Sequence, residues 1–123
     1  MLKPYFARLR PCYQMDHLVL FHDKCGGFWG LPSNHAANGM SIATYFLVRG
    51  YPKIGFFGFF SAFWVGYSRV YSGVHFPGDV LLGFACGGGI GFLIGILFEK
   101  VQSYFRDRFC KSPDPNNLSC HRA

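Results

Sequence analysis

Long uncharged stretches alternate with polar segments along the chain, and this pattern predicts membrane helices. Val80 to Phe98 is nineteen residues without a charge, long enough to cross the ~30 Å hydrocarbon core at 1.5 Å per residue. Ile54 to Tyr67 is also uncharged but shorter, so it crosses only if its helix continues toward Tyr71. His35 to Val48 is partly polar and predicts a third span, buried among the others. The pattern predicts an all-α integral membrane bundle of about three transmembrane helices.

Four glycines recur at every fourth position of the longest apolar stretch, namely Gly83, Gly87, Gly91 and Gly95. On a helix this spacing places them along one ridge and permits close approach of a neighbouring backbone. The plainer interpretation is that glycine is simply common in membrane helices. Four glycines in register favour packing, and the sequence leaves open whether the partner helix lies within this chain or outside it.

Polar segments flank these apolar stretches. Cys12 to Leu31 is polar and broken by glycines, which predicts an extramembrane loop. The end of the chain is cationic and then proline-rich, a composition that buries little apolar surface. We therefore predict a membrane domain over residues 1–98 and a polar, partly disordered tail over residues 99–123.

Composition supports a membrane protein. Half of the residues are hydrophobic and 15% are charged, which lies outside the usual balance of soluble domains. The net charge of +6 is not concentrated in a run, so we expect no nucleic acid, and phosphate or anionic lipid is the better partner. The five cysteines form no CxxC pair, so we predict no metal site and no cofactor. A disulfide between Cys12 and Cys25 stays open at this stage.

A first polar cluster lies near the start of the chain. Lys3 and Arg10, followed by Pro11, are seven residues apart, which on a helix would place both cations on one face. Snorkelling of the two cations beside a membrane helix is the plainer interpretation for this cluster taken alone.

A second cluster, Pro32-Ser33-Asn34-His35, stands immediately before a predicted helix. Ser33 can cap that helix, and the free N–H groups of its first turn can bind an anion such as phosphate. Pro-Ser is also an ordinary helix start, so this cluster is weak evidence when taken singly.

The third cluster runs from Ser68 to Asp79 and links the ends of two predicted spans. His75 and Asp79 are four residues apart, so the carboxylate can orient the imidazole and stabilise its cation. Arg69 offers a planar fork of donors that matches phosphate oxygens. Arg, His and Asp at a bilayer boundary are costly unless they are used, which favours a function here.

Together the three clusters resemble, in order and spacing, the motifs of the type 2 phosphatidic acid phosphatase superfamily: K-x6-R-P, P-S-x-H and S-R-x5-H-x3-D. The resemblance implies that His75 is a nucleophile that forms a phosphohistidine, that Asp79 orients it, and that His35 protonates the leaving oxygen. It also implies a set of groups that bind the phosphoryl oxygens, namely Lys3, Arg10, Ser33, Asn34 and Arg69. Asn34 stands where the commonest family motif has glycine.

The resemblance further implies a six-helix core, of which this chain would be the C-terminal half. Family members have two or three helices before the first motif, whereas Lys3 follows Met1 almost at once. We therefore expect a chain truncated at its N-terminus: a fragment, a truncated gene model or a degenerate copy.

The expected function is metal-independent hydrolysis of lipid phosphates or diphosphates at the membrane interface, with a bacterial polyprenyl diphosphate or phospholipid as the favoured substrate. One alternative is a catalytically silent membrane fragment that acts only in helix association. A vanadium haloperoxidase is disfavoured because those enzymes are soluble.

The distribution of cations predicts an orientation in the membrane. All three motifs should lie on one side, with seven cations on the other: Arg49, Lys53, Lys100, Arg106, Arg108, Lys111 and Arg122. Because such cations favour the cytoplasm, we expect a multi-pass protein of the cell membrane, the bacterial inner membrane by family, with an extracytoplasmic site.

Overall fold

The computed structural model describes residues 8–14 and 27–109. Its helices are α1 (Pro11–Gln14), α2 (Asn34–Val48), α3 (Pro52–Tyr71) and α4 (Pro77–Phe109). The predicted all-α class is confirmed for these residues. The β-structure of these residues is an isolated antiparallel bridge between Leu9 and Trp29.

The turn between α2 and α3 follows from the local sequence. Gly50 adopts a left-handed conformation with φ of 78°, which glycine tolerates because it has no Cβ. Its N–H donates to Leu47 O at 3.2 Å, and the N–H of Tyr51 donates to Phe46 O at 2.9 Å. These two bonds form a Schellman motif, which satisfies carbonyls at the end of α2. Pro52 then occupies the first turn of α3, where its missing N–H costs nothing.

Small residues let the three long helices approach closely. The glycine ridge of α4 lies against α2, and a methyl group at Gly87 or Gly91 would overlap a backbone carbonyl of α2. The contacts advance in the same direction along both helices, from Ser33 beside Gly83 to Val48 beside Gly95. The helices α2 and α4 are therefore parallel, and both begin at the same end of the bundle.

Helix α3 runs antiparallel to α2 and packs on a different part of its surface. A Cβ at Gly39 would lie 2.9 Å from Ala62 Cβ, and one at Gly58 would lie 3.2 Å from Ala43 Cβ. Direct contact between α3 and α4 is sparse. Consequently α2 joins the other two helices, and the C-terminus of α3 reaches the end of the bundle where α2 and α4 begin.

By length and apolar composition, one helix within the described ranges could cross a membrane. It covers Pro77–Arg108, and an 18-residue stretch within it has a mean hydropathy of 2.2. It extends beyond the predicted limit at Phe98, so the first part of the predicted polar tail is helical. The prediction stopped at Phe98 because charges follow, but glutamate, lysine and glutamine are good helix formers and continue a helix into water. Membrane crossing by α2 and α3 stays a prediction.

Candidate active site

The loop between α3 and α4 carries the third motif, and its shape is fixed by a second Schellman motif. Gly73 is left-handed with φ of 68°. Its N–H donates to Val70 O at 3.0 Å, while the N–H of Val74 donates to Arg69 O at 3.1 Å. The N–H of His75 reaches the same Arg69 carbonyl at 3.3 Å. The loop thereby holds the backbone of His75 beside that of Arg69 before α4 begins.

His75 and Asp79 form the buried centre of the site. They are 3% and 0% exposed, and His75 Nδ1 lies 3.6 Å from Asp79 Oδ2. The same Oδ2 accepts a hydrogen bond of 3.0 Å from the backbone N–H of Phe76. The carboxylate thus lies beside Nδ1 of the imidazole, as the four-residue spacing predicted, at a distance longer than a hydrogen bond. Nε2 is the ring nitrogen away from Asp79.

His35 and Arg69 meet across the site from two different helices. His35 is exposed in the first turn of α2, and its Nε2 lies 3.0 Å from Nη2 of Arg69 in the last turn of α3. Because a guanidinium can only donate, His35 Nε2 accepts this hydrogen bond. The imidazole therefore carries its proton on Nδ1 in this arrangement, and an anion that draws Arg69 toward itself would release Nε2 for protonation.

Ser33 is the N-cap of α2 and is fully buried. Its N–H donates to Asp79 O at 3.0 Å, which ties the second motif to the third. The predicted side-chain cap does not form, and Ser33 Oγ makes no hydrogen bond within the part of the chain that the structure describes. A buried hydroxyl without a partner is costly, so an anion bound at the N-terminus of α2 would satisfy it together with the free N–H groups there.

The described end of the first motif differs from the helical form that the sequence predicted. Residues 8–10 are extended, since Arg10 N donates to Phe28 O at 3.2 Å and Gly30 N donates to Arg8 O at 2.9 Å. Pairing with residues 28–30 supplies backbone hydrogen bonds that a helix would otherwise provide. The prediction that a helix positions Arg10 was therefore wrong. Lys3, its predicted neighbour on that helix, lies outside the described residues.

Arg10 nevertheless comes close to the other motifs. Its Nε donates to Trp29 O at 3.3 Å. A Cβ on Gly30 would lie 3.3 Å from Arg10 Cγ and 3.0 Å from Asp79 Oδ2, so Gly30 passes between these two side chains. Burial lowers the pKa of Arg10, and the Arg69 guanidinium lowers it further while Tyr13 and Asp79 oppose the shift. A second cation near Arg69 is a favourable arrangement for binding an anion.

Most of the predicted site residues therefore converge at one end of the bundle, where α2 and α4 begin and α3 ends: Arg10, Ser33, His35, Arg69, His75 and Asp79. Asn34 is exposed at the first position of α2. The positive ends of two helix dipoles point toward this region. The cations and helix N-termini gathered here suit the binding of an anion such as a phosphoryl group.

Sequence reasoning missed Arg8. Its Nη1 lies 3.2 Å from Asp79 Oδ1, and its guanidinium stacks 4.5 Å from the centroid of the Phe76 ring. Arg8 lies outside the fixed positions of the motif, and its partner is 71 positions away. In an extended segment Arg8 and Arg10 share one side of the chain, and this alternation would have pointed to Arg8 had a helix not been assumed.

Comparisons with known proteins agree with these motifs. The PAP2 superfamily model matches residues 1–103. A lipid A 4'-phosphatase of Bacteroides thetaiotaomicron is 35% identical over 83% of this chain and 48% of its own length. One from Porphyromonas gingivalis is 32% identical over 95% of this chain and 50% of its own. Phosphatidylglycerophosphatase B of Bacillus subtilis is 34% identical over 84% of this chain and 52% of its own.

The chain therefore spans about half the length of the curated relatives it matches. No solved structure matches it. The family model covers most of the chain, including all three motifs, and the side chains of those motifs that the structure describes gather at one site. The chain belongs to the PAP2 superfamily.

Proposed function

We propose that the protein hydrolyses a phosphate ester or diphosphate of a lipid at the membrane interface through a phosphohistidine formed on His75. The observation that carries the proposal is the buried pair of His75 and Asp79, 3.6 Å apart, beside the contact of His35 with Arg69. A nucleophile, its orienting carboxylate, a proton donor and a phosphate ligand are then within one small region, as covalent catalysis of phosphoryl transfer requires.

In the first step, Nε2 of His75 attacks phosphorus, and the bond from phosphorus to the lipid oxygen breaks. His35, protonated once the substrate phosphate has drawn Arg69 away, gives its proton to the departing oxygen. Asp79 stabilises the positive charge that develops on His75. The products of this step are the lipid alcohol, or a lipid monophosphate from a diphosphate, and the phosphohistidine.

In the second step, water attacks the phosphohistidine while neutral His35 accepts a proton from it. The bond between phosphorus and Nε2 breaks, and inorganic phosphate leaves. Arg10, Arg69, Ser33 Oγ and the N–H groups at the start of α2 hold the phosphoryl oxygens in both steps, and Lys3 and Asn34 are further candidates. Fixed donors of this kind stabilise the charge of the transition state without reorganisation.

The location of the site fits a lipid substrate. Helix α3 exposes large apolar side chains along its length, among them Phe57 at 77%, Trp64 at 73% and Phe60 at 71%. Contiguous exposure of such residues marks an interaction with membrane or protein, and a twenty-residue helix is about 30 Å long. A bilayer around α3 and α4 would hold the lipid chain while its phosphate reaches the end of the bundle. We propose a multi-pass protein on this basis.

The disulfide of Cys12 supports an extracytoplasmic site. Cys12 is disulfide-bonded and lies two residues after Arg10, and disulfides persist mainly in oxidising compartments. Arg49 and the cations of the last turn of α4 lie toward the other end of the bundle. Both features agree with a cytoplasmic tail and a site facing away from the cytoplasm.

Trapping of the covalent intermediate tests the proposal. The complete gene product in membranes is mixed with a lipid phosphate labelled in its phosphoryl group and is quenched under alkaline conditions. We expect acid-labile label on the wild-type protein and none on His75→Ala, since no covalent intermediate can form without the nucleophile. Hydrolysis by His75→Ala at the wild-type rate would overturn the mechanism. A catalytically silent fragment, the alternative, would give neither label nor phosphate release.

A further inference from the structure

The Asp79 carboxylate is held from both sides. On one side Oδ2 faces His75 and accepts the N–H of Phe76, and on the other side Oδ1 pairs with Arg8 at 3.2 Å. Rotation about the last torsion of an aspartate is broad, so the single hydrogen bond from Phe76 to Oδ2 leaves the plane of the carboxylate free to tilt relative to the imidazole. Bonds to both oxygens fix the plane of the group.

We propose that Arg8 is a positioning residue, which keeps Asp79 Oδ2 directed at the imidazole of His75. The inference rests on the proposed function, because it assigns to Arg8 the support of the carboxylate that orients the nucleophile. Arg8 acts through Asp79 and does not itself bind the substrate phosphate.

The surroundings of Arg8 are those of an anchored side chain. Its backbone carbonyl accepts the N–H of Gly30, and its guanidinium lies over the Phe76 ring. A Cβ on Gly78 would lie 3.6 Å from Arg8 Nη1, so the guanidinium packs on the first turn of α4. A planar guanidinium can stack on a ring and still donate to a carboxylate in its own plane. Arg8 therefore meets Phe76 and Asp79 at once.

Charge also separates Arg8 from the phosphate ligands. Arg8 pairs with a carboxylate at hydrogen-bond distance, whereas Arg69 contacts an imidazole nitrogen of His35. A guanidinium already paired with a buried carboxylate has less to gain from a phosphate than one that contacts neutral groups. The side chain of Arg8 is still 43% exposed, so its replacement does not leave a large cavity.

The proposal predicts a specific kinetic effect. We expect Arg8→Ala to lower kcat by about 10–100-fold, the loss seen at metal sites when a group that orients a ligand is removed, with little change in KM. Arg8→Lys keeps the charge without the planar fork and should fall between Arg8→Ala and wild type. Arg108→Ala, an exposed arginine of α4 far from the site, is the matched control and should leave kcat unchanged.

A double-mutant cycle separates positioning from direct binding. Asp79→Asn should lower kcat by about 10⁴, as does loss of a carboxylate that orients a catalytic imidazole. If Arg8 acts through Asp79, Arg8→Ala adds almost nothing in the Asp79→Asn background. If the losses of kcat from the two substitutions instead multiply in the double variant, or if Arg8→Ala raises KM and leaves kcat normal, Arg8 is a substrate ligand and the proposal is overturned.

The experiment measures kcat, KM and trapped phosphohistidine for these variants in the complete gene product in membranes. Arg8→Gln keeps part of the aliphatic side chain and replaces Arg8→Ala if that variant does not accumulate. Wild-type kinetics in Arg8→Ala with an inactive His75→Ala would overturn the role of Arg8 alone. An active His75→Ala would overturn the proposed function itself, so the two failures are distinguishable.

Discussion

His35 gives the sharpest test of how the two histidines divide the reaction. Its Nε2 lies 3.0 Å from Arg69 Nη2, so a phosphate held by Arg69 places its leaving oxygen near the imidazole. The role of a general acid depends on the basicity of the group that leaves. A lipid alkoxide is strongly basic and needs the proton, whereas nitrophenolate departs without it.

The expected magnitude follows from this difference. We expect His35→Ala to lower kcat on a lipid monophosphate by about 10²–10⁴-fold, the usual contribution of general acid catalysis, or about 3–5 kcal/mol at 1.36 kcal/mol per tenfold change. On nitrophenyl phosphate the loss should be much smaller. His35 is exposed, so the free energy of unfolding should change by less than about 0.5 kcal/mol.

The assay compares kcat for the two substrates in wild type, His35→Ala and His35→Gln. Glutamine can keep a hydrogen bond to Arg69 but cannot supply the proton, so His35→Gln should lose as much rate as His35→Ala on the lipid substrate. Asn38→Ala, an exposed change on the next turn of α2, serves as the control. Equal losses on both substrates, or recovery in His35→Gln, would refute the acid role and leave His35 as a ligand of Arg69 or of phosphate.

Three further predictions concern packing, chemistry and orientation. Gly87→Ala should destabilise the protein by about 1–3 kcal/mol in thermal unfolding, because its methyl group would overlap Ala37 O. Gly89→Ala is the control and should not destabilise it, since nothing lies within 4 Å of a Cβ at that position. Equal stability of the two variants would contradict the packing of α4 on α2. Phosphate release should survive EDTA and be blocked by vanadate, which mimics the transition state; a requirement for magnesium would exclude the histidine mechanism. A membrane-impermeant thiol reagent should not reach Cys110 in intact cells, and labelling from outside would reverse the proposed orientation.

Local sequence accounts for the turns between the long helices, but not for the end of α4, which continues past the predicted limit at Phe98. Among the residues that the structure describes, Gly50 and Gly73 are left-handed, and each follows a helix end where the chain must turn. The bonds that they close span six residues at most, so the information lies within the sequence window that forms the turn. Pro52 and Pro77 then begin the next helices for an equally local reason.

The candidate site was also largely predictable, because its residues are recognised by type and spacing. His75 and Asp79 are one helical turn apart, and the fixed spacing leads directly to their observed proximity. The meeting of His35 with Arg69 was expected from the motifs only by resemblance, and it requires that α2 begins at the level where α3 ends.

Tertiary structure alone decided the contacts between remote segments. The sequence predicted a glycine ridge on α4, but only packing placed α2 against it. The sequence likewise allowed a helix around Arg10, and pairing with residues 28–30 made that segment extended instead. This pairing placed Arg8 against Asp79. A local pattern fixes which conformations a segment can adopt, whereas its partner is selected by the complementary surface and hydrogen-bonding groups of a distant segment.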